Sequence, residues 1–156
     1  MSVAMTLKDY LDNNDFSYKL IEHLPASSSI KTEKNQQVTN DKVAKPILLG
    51  DDDSYLLAVI PASHRLDIDR LNQIMARGLV IMSRQEQEIA FNDCESGFIP
   101  PTGELYGVDT IVDPALLDKD DIYFESGDHN QMVHMSGDDF RRLLEHADKH
   151  TISHHL

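Results

Sequence analysis

The chain has 156 residues, 40% of them apolar and 26% charged, the make-up of one globular domain large enough to bury a core without disulfides or metals. No run approaches the roughly 18 apolar residues of a membrane span, and Met1–Lys8 lacks the basic-then-apolar order of a secretory signal. Net charge is −13, with fourteen Asp or Glu against one Lys over residues 86–139, which excludes a protein that grips many phosphates of DNA or RNA, because such affinity comes from released counterions. A single cysteine, Cys94, fits a reducing compartment. The expectation is one cytoplasmic domain over residues 1–156, with no membrane partner. Its core runs from about residue 6 to 144, and a histidine-containing tail follows.

Thr6 is placed to cap a short helix carrying Leu7, Tyr10 and Leu11 on one face. Phe16 to His23 reads as a strand. Pro25 to Ser29 reads as a loop, from which Ser28 or Ser29 caps a helix through about Val38. Val43–Leu49 and Tyr55–Ile60 are apolar runs joined by a polar turn at Gly50–Ser54, the pattern of a hairpin ended by Pro61. Ile68, Leu71, Ile74 and Met75 predict a helix over 67–75, and Leu79–Met82 predicts a short buried strand. Ser83 with Glu86 makes a capping box for a helix to about Phe91. Asp93–Gly107, with three Gly and two Pro, predicts a shaped loop. Three strands follow, at Thr110–Val112, Ile122–Glu125 and Met132–Met135. A last helix is signalled by Ser136 and Asp139, with Phe140, Leu143 and Leu144 inward. Together these give an α+β fold with a mixed, curved, partly barrel-like sheet and flanking helices.

No nucleophile elbow, phosphate loop, dinucleotide fingerprint, zinc-helix motif or paired Cys-x-x-Cys occurs. Lys45 sits at the mouth of a strand that otherwise reads as buried. Its ammonium suits a phosphate or ribose hydroxyl, or simply snorkels at the surface. Gly97-Phe98-Ile99-Pro100-Pro101 is a stiff segment. Its backbone amides can hold a carboxyl-derived oxygen, or it is a plain rigid turn. Gly127 presents His129 in a turn between two strands, either to donate to a substrate carbonyl or as an exposed loop residue. Cys94 has no partner in sequence and reads as a packed thiol more readily than as a nucleophile. His146 and His150 are four apart and would share a helix face, but nothing completes a zinc site. Asp51, Asp52 and Asp53 read as a solvated turn.

These signals occur in the order found in one family. The chain resembles the YbaK / prolyl-tRNA synthetase-associated domain family, also called the ProX or insertion-domain-like editing family. The matching stretches are 21–26 (IEHLPA), 43–49 (VAKPILL), 55–62 (YLLAVIPA), 91–101 (FNDCESGFIPP), 110–113 (TIVD) and 123–129 (YFESGDH). The resemblance spans about Thr6 to Leu144. It implies a trans-editing hydrolase that clears a wrong, small amino acid from tRNA, often the tRNA for proline. Its lysine falls on Lys45 and its glycine–proline loop on Gly97 through Pro101. Its substrate-positioning histidine falls on His129, beside Gly127. Segment 31–41 lacks the family's Ala-rich helix.

The bond implied is an activated ester, so positioning and oxyanion stabilisation can supply most of the rate. On this reading Lys45 anchors the terminal adenosine, the Gly97–Pro101 backbone holds the aminoacyl group, and His129 places the substrate. Phe98 and Ile99 narrow the pocket. No metal or organic cofactor is expected. The partner is the acceptor end of an aminoacyl-tRNA, with a synthetase as a further candidate and no DNA. Positive segments at residues 31–45 and 65–84 would face the RNA. Two rival readings are a non-catalytic module binding a tRNA end or a protein, and a metal-responsive protein using the His tail.

Overall fold

The computed structural model describes residues 3–22, 30–31 and 37–156. Helix α1 (Met5–Asn13) buries Leu7 and Leu11 as the periodicity predicts. Thr6 does not cap it. Ala4 holds the cap position without a side-chain bond, and Asp93, from a distant loop, accepts the Thr6 amide at 2.9 Å. Strand β1 covers Tyr18–Glu22. Where a helix to Val38 was expected, β2 (Ile30–Lys31) and β3 (Gln37–Val38) pair antiparallel. The rest of that expected helix, His23 and the Pro25–Ser29 loop lie outside the described residues.

Strands β4 (Ala44–Gly50) and β5 (Tyr55–Pro61) form the predicted hairpin, in register from Ala44–Pro61 to Gly50–Tyr55. Asp51 closes its turn by accepting the amides of Asp53 and Ser54. The Arg77 guanidinium grips Asp51 from the side and holds its carboxyl far below the usual range. After β5 the chain forms β6 (His64–Leu66), which sequence reading missed. Helix α2 (Ile68–Met75) follows, capped by Asp67. Strand β7 (Val80–Ile81) is an edge strand. Its two side chains are 58% and 62% exposed, contrary to the buried strand expected; the flanking Leu79 and Met82 pack inward instead. Helix α3 (Arg84–Ala90) is capped by Ser83. Glu86 does not return the bond of a capping box there but accepts from Tyr55.

Strands β8 (Asp109–Val112), β9 (Asp121–Glu125) and β10 (Gln131–Ser136) lie close to where the sequence puts them. Helix α4 (Gly137–Leu143) starts at Ser136, whose hydroxyl accepts the Asp139 amide. The segment set apart as a tail is structural. Strand β11 (Asp148–Lys149) runs parallel to β8, and β12 (Ser153–His155) pairs with β6.

The two larger sheets have the orders β11-β8-β5-β4-β7 and β1-β10-β9, beside the two-stranded pairs β12-β6 and β2-β3. A parallel bridge from Val43 to Tyr123 joins the start of β4 to β9. The combined surface is mixed and curved but not a closed barrel. Strand β5 is buried on both faces, as an unbroken apolar run should be. Leu57 and Val59 pack between the sheets with α1, α4 and Ile99. Leu56, Ala58 and Ile60 pack under α2 with Leu71 and Ile152.

The C-terminal strands are locked by a buried carboxylate. Asp113, 2% exposed, accepts from the Ile152 amide at 3.1 Å and the Ser153 hydroxyl at 2.7 Å. Replacing the fully buried Ile152 with alanine is expected to lower unfolding free energy by about 2–5 kcal/mol in urea titrations, as for other core truncations. An unfrayed tail is the premise; an unchanged urea midpoint would show that residues 148–156 add nothing to the fold.

Candidate functional site

The Asp93–Gly107 loop is tied down at many points. Asp93 accepts from Tyr106 at 2.7 Å and from the Thr6 amide. Burial pushes its carboxyl up, but these hydrogen bonds bring it net below the usual range. Cys94 is packed against the Tyr106 hydroxyl at 3.4 Å, and burial pushes its thiol up to about 12. Burial thus disfavours the thiolate that a nucleophile would need.

The loop is laced to the turn after β9. The Glu95 amide donates to Gly127 O at 2.9 Å, and the Gly127 amide donates to Phe98 O at 2.8 Å. The turn is also held from α1, where Ala4 N–H donates to Ser126 O at 3.0 Å. Gly127 has φ +91°, and a Cβ there would lie 2.7 Å from the Ala4 Cβ and 3.1 Å from Cys94 Sγ. Only glycine fits. Gly97 also has a positive φ, +87°, and lies against the Arg84 guanidinium. The structure thus brings Gly97, Phe98, Gly127 and His129 together, with the Phe98 and His129 rings 6.2 Å apart.

The loop's amides are mostly spent. Gly97 N–H donates to the Gln87 side chain at 2.8 Å and Phe98 N–H to Glu95 O at 3.1 Å. Pro100 and Pro101 have none. Among the described residues, that leaves the Ile99 amide as the one donor of the five positions without a protein partner. The expectation that several amides converge on an oxyanion is corrected accordingly. Ile99 does not narrow a pocket either: its side chain is 3% exposed and packs into the core.

Lys45 is exposed on β4, and among the described residues its ammonium forms no hydrogen bond or ion pair. It lies two residues past the Val43–Tyr123 bridge, as Glu125 does on β9, the strand that leads into the His129 turn. Ala44 and Leu48 face the core cluster holding Ile99, whereas Ile47 and Leu49 face α2. Strand alternation places Lys45 with the latter, so its flexible stem, not its Cβ direction, sets its reach. No contact links it to the Gly97–Pro101 loop.

His129, with its side chain 47% exposed, points Nδ1 at Glu95, 2.9 and 3.0 Å from the two carboxylate oxygens, and its own amide donates to Glu95 at 3.3 Å. Glu95 is held below the usual carboxylate range, chiefly by His129. Sequence reading missed Glu95, Gln87 and Arg84; only the Glu95 spacing, two residues before Gly97, offered a cue. Glu95, Asp128 and His129 offer atoms within 4.8 Å of one another. The His146–His150 pair makes no such group: His146 meets Glu104 at 2.8 Å. Elsewhere the positive segments are partly neutralised, with Lys42 on Asp121 and Arg77 on Asp51.

Gly127→Ala is expected to cost more stability than Gly97→Ala, because only the former adds a clash with packed atoms to the strain of a positive φ. Both losses should be on the order of 1–3 kcal/mol. Thermal denaturation of the two variants checks the order.

The chain was compared with known proteins. No curated protein sequence matches at a significant level. A crystal structure of a candidate signal-transduction protein from Marinobacter aquaeolei is similar over 97% of this chain, with 23% identity and a TM-score of 0.75; this chain spans 31% of its length. A candidate trans-editing enzyme for prolyl-tRNA synthetase is similar over 97% of this chain and 96% of its own, with 16% identity and a TM-score of 0.78. A hypothetical protein of the same shape gives 16% identity, coverage of 96% and 99%, and a TM-score of 0.77. At these identities the likeness shows the fold. No helix among the described residues is long and apolar enough to cross a membrane. The aminoacyl-tRNA editing domain family matches residues 23–143, well over half of the sequence, and the chain belongs to that family.

Proposed function

We propose that the protein is a free-standing, cytoplasmic hydrolase that cleaves the ester of a mischarged aminoacyl-tRNA. One observation carries this reading: the glycine–proline loop and the histidine turn, distant in sequence, are interlocked by reciprocal backbone bonds inside a fold of the editing family. Lys45 would take the phosphate or ribose hydroxyls of the terminal adenosine, and Arg84, beside Gly97, would put a cation at the loop itself. The Ile99 amide would polarise the ester carbonyl. A water oxygen then bonds to the carbonyl carbon, the bond to the ribose oxygen breaks, and the water's proton passes to that oxygen. His129 places the substrate. No step requires a metal or organic cofactor.

The acidic surface fits contact limited to the acceptor end. A small amino acid, on the tRNA for proline, is the substrate we favour, because a methylene is worth only about 1–3 kcal/mol in one pocket and a separate editing site supplies the remaining discrimination. A synthetase partner would deliver such a substrate.

Incubation with a panel of mischarged tRNAs should show turnover of at least one. Lys45→Ala should lose about tenfold or more, the size of one charge-assisted contact, while its circular dichroism is unchanged. Full activity in Lys45→Ala removes the lysine from the mechanism, and binding without turnover by the wild type makes the protein a non-catalytic module. The affinity for tRNA should fall only shallowly with salt; a steep slope counts against end-only docking.

A further inference from the structure

Two carboxylates face the His129 ring. Glu95 holds Nδ1 through both oxygens, at 2.9 and 3.0 Å, and Asp128, fully buried, brings Oδ1 to 3.6 Å of the same nitrogen. Asp128 Oδ1 also accepts the Asn130 amide at 3.0 Å. An ionised carboxylate only accepts, so the shared proton belongs to Nδ1. Among the described residues nothing reaches Nε2. A neutral imidazole with its proton on Nδ1 offers a lone pair at Nε2 and cannot donate there, so it is matched to a donor, not to a carbonyl.

We infer that Glu95 is a positioning residue that fixes the His129 proton on Nδ1, so that Nε2 accepts a hydrogen bond from the α-ammonium of the aminoacyl ester. This rests on the editing reading and names the group it recognises. Three observations support it. The Glu95 carboxylate touches both the ring and the backbone of His129, which fixes ring orientation as well as tautomer. Glu95 itself is anchored by its amide to Gly127 O, so the carboxylate moves with the turn it orients. The two carboxylates beside the ring, Glu95 and Asp128, attract a cationic amine and give no such attraction to a neutral acylated one. The substrate class is therefore an ester with a free amine. N-acylaminoacyl-tRNA and peptidyl-tRNA are excluded.

The test joins spectroscopy to turnover. Two-bond proton–nitrogen correlation spectra, taken above the titration range of imidazole, should show His129 as the Nδ1–H tautomer in the wild type and in Glu95→Gln, whose amide oxygen still accepts. Glu95→Ala should show a mixture. The wild type should hydrolyse a mischarged aminoacyl-tRNA at least about tenfold faster than its N-acetylated form, the size of one hydrogen bond to a charged group. That preference should largely persist in Glu95→Gln and collapse in Glu95→Ala and His129→Ala. An Nε2–H tautomer in the wild type, or no change of tautomer in Glu95→Ala, overturns the role of Glu95 whatever the activity. A retained amine preference in Glu95→Ala overturns the assigned ligand. Absence of all turnover with the tautomers as expected sinks the editing reading and leaves the Glu95–His129 pairing standing.

Discussion

Two backbone hydrogen bonds, Glu95 N–H to Gly127 O and Gly127 N–H to Phe98 O, hold one loop against another. They close only because Gly127 adopts φ +91° with no side chain in the space between Ala4 and Cys94. Every other contact of the site follows. Glu95 is brought to His129, Phe98 to the His129 ring, and the amino end of α1 is seated on the back of both loops through Ser126 and Asp93. A site built on loops is precise only when their own polar groups are satisfied elsewhere. Here almost all of them are.

That satisfaction limits the chemistry. A loop whose amides cap side chains and turns cannot also cradle an oxyanion with them, and prolines contribute none. One free amide at Ile99, one orientable imidazole and two cations at the periphery are modest equipment. An aminoacyl ester is already activated, so such equipment would suffice for the hydrolysis we propose. Cys94 illustrates the same economy: buried against Tyr106, its thiol serves packing.

The fold places these parts by joining its two larger sheets at the bridge between Val43 and Tyr123. Strand β5, buried on both sides, anchors the larger sheet. Strand β9, bridged to the start of the strand that carries Lys45, runs on into the histidine turn. The C-terminal strands close the far face over Ile152, with Asp113 as their polar fastening.

The sequence by itself determined the elements whose signals are local. The β4–β5 hairpin, the Ser83 and Ser136 caps, the inward faces of α1 and α4, and the late strands were all legible, because periodicity and capping act over a few residues. The resemblance to editing domains marked the Lys45, Gly97–Pro101 and Gly127–His129 positions before any geometry. Only the tertiary structure decided the rest. Whether 79–82 faced the core depended on which strand became an edge. Whether 148–155 was a tail or two strands depended on free edges at β6 and β8. Which loop amides stayed free depended on Gln87 and Gly127, ten and thirty residues from Gly97. Glu95 gained its role from a histidine 34 residues away. Such pairings leave no periodic trace in a single sequence, because partners brought together by long-range packing have no fixed spacing along the chain.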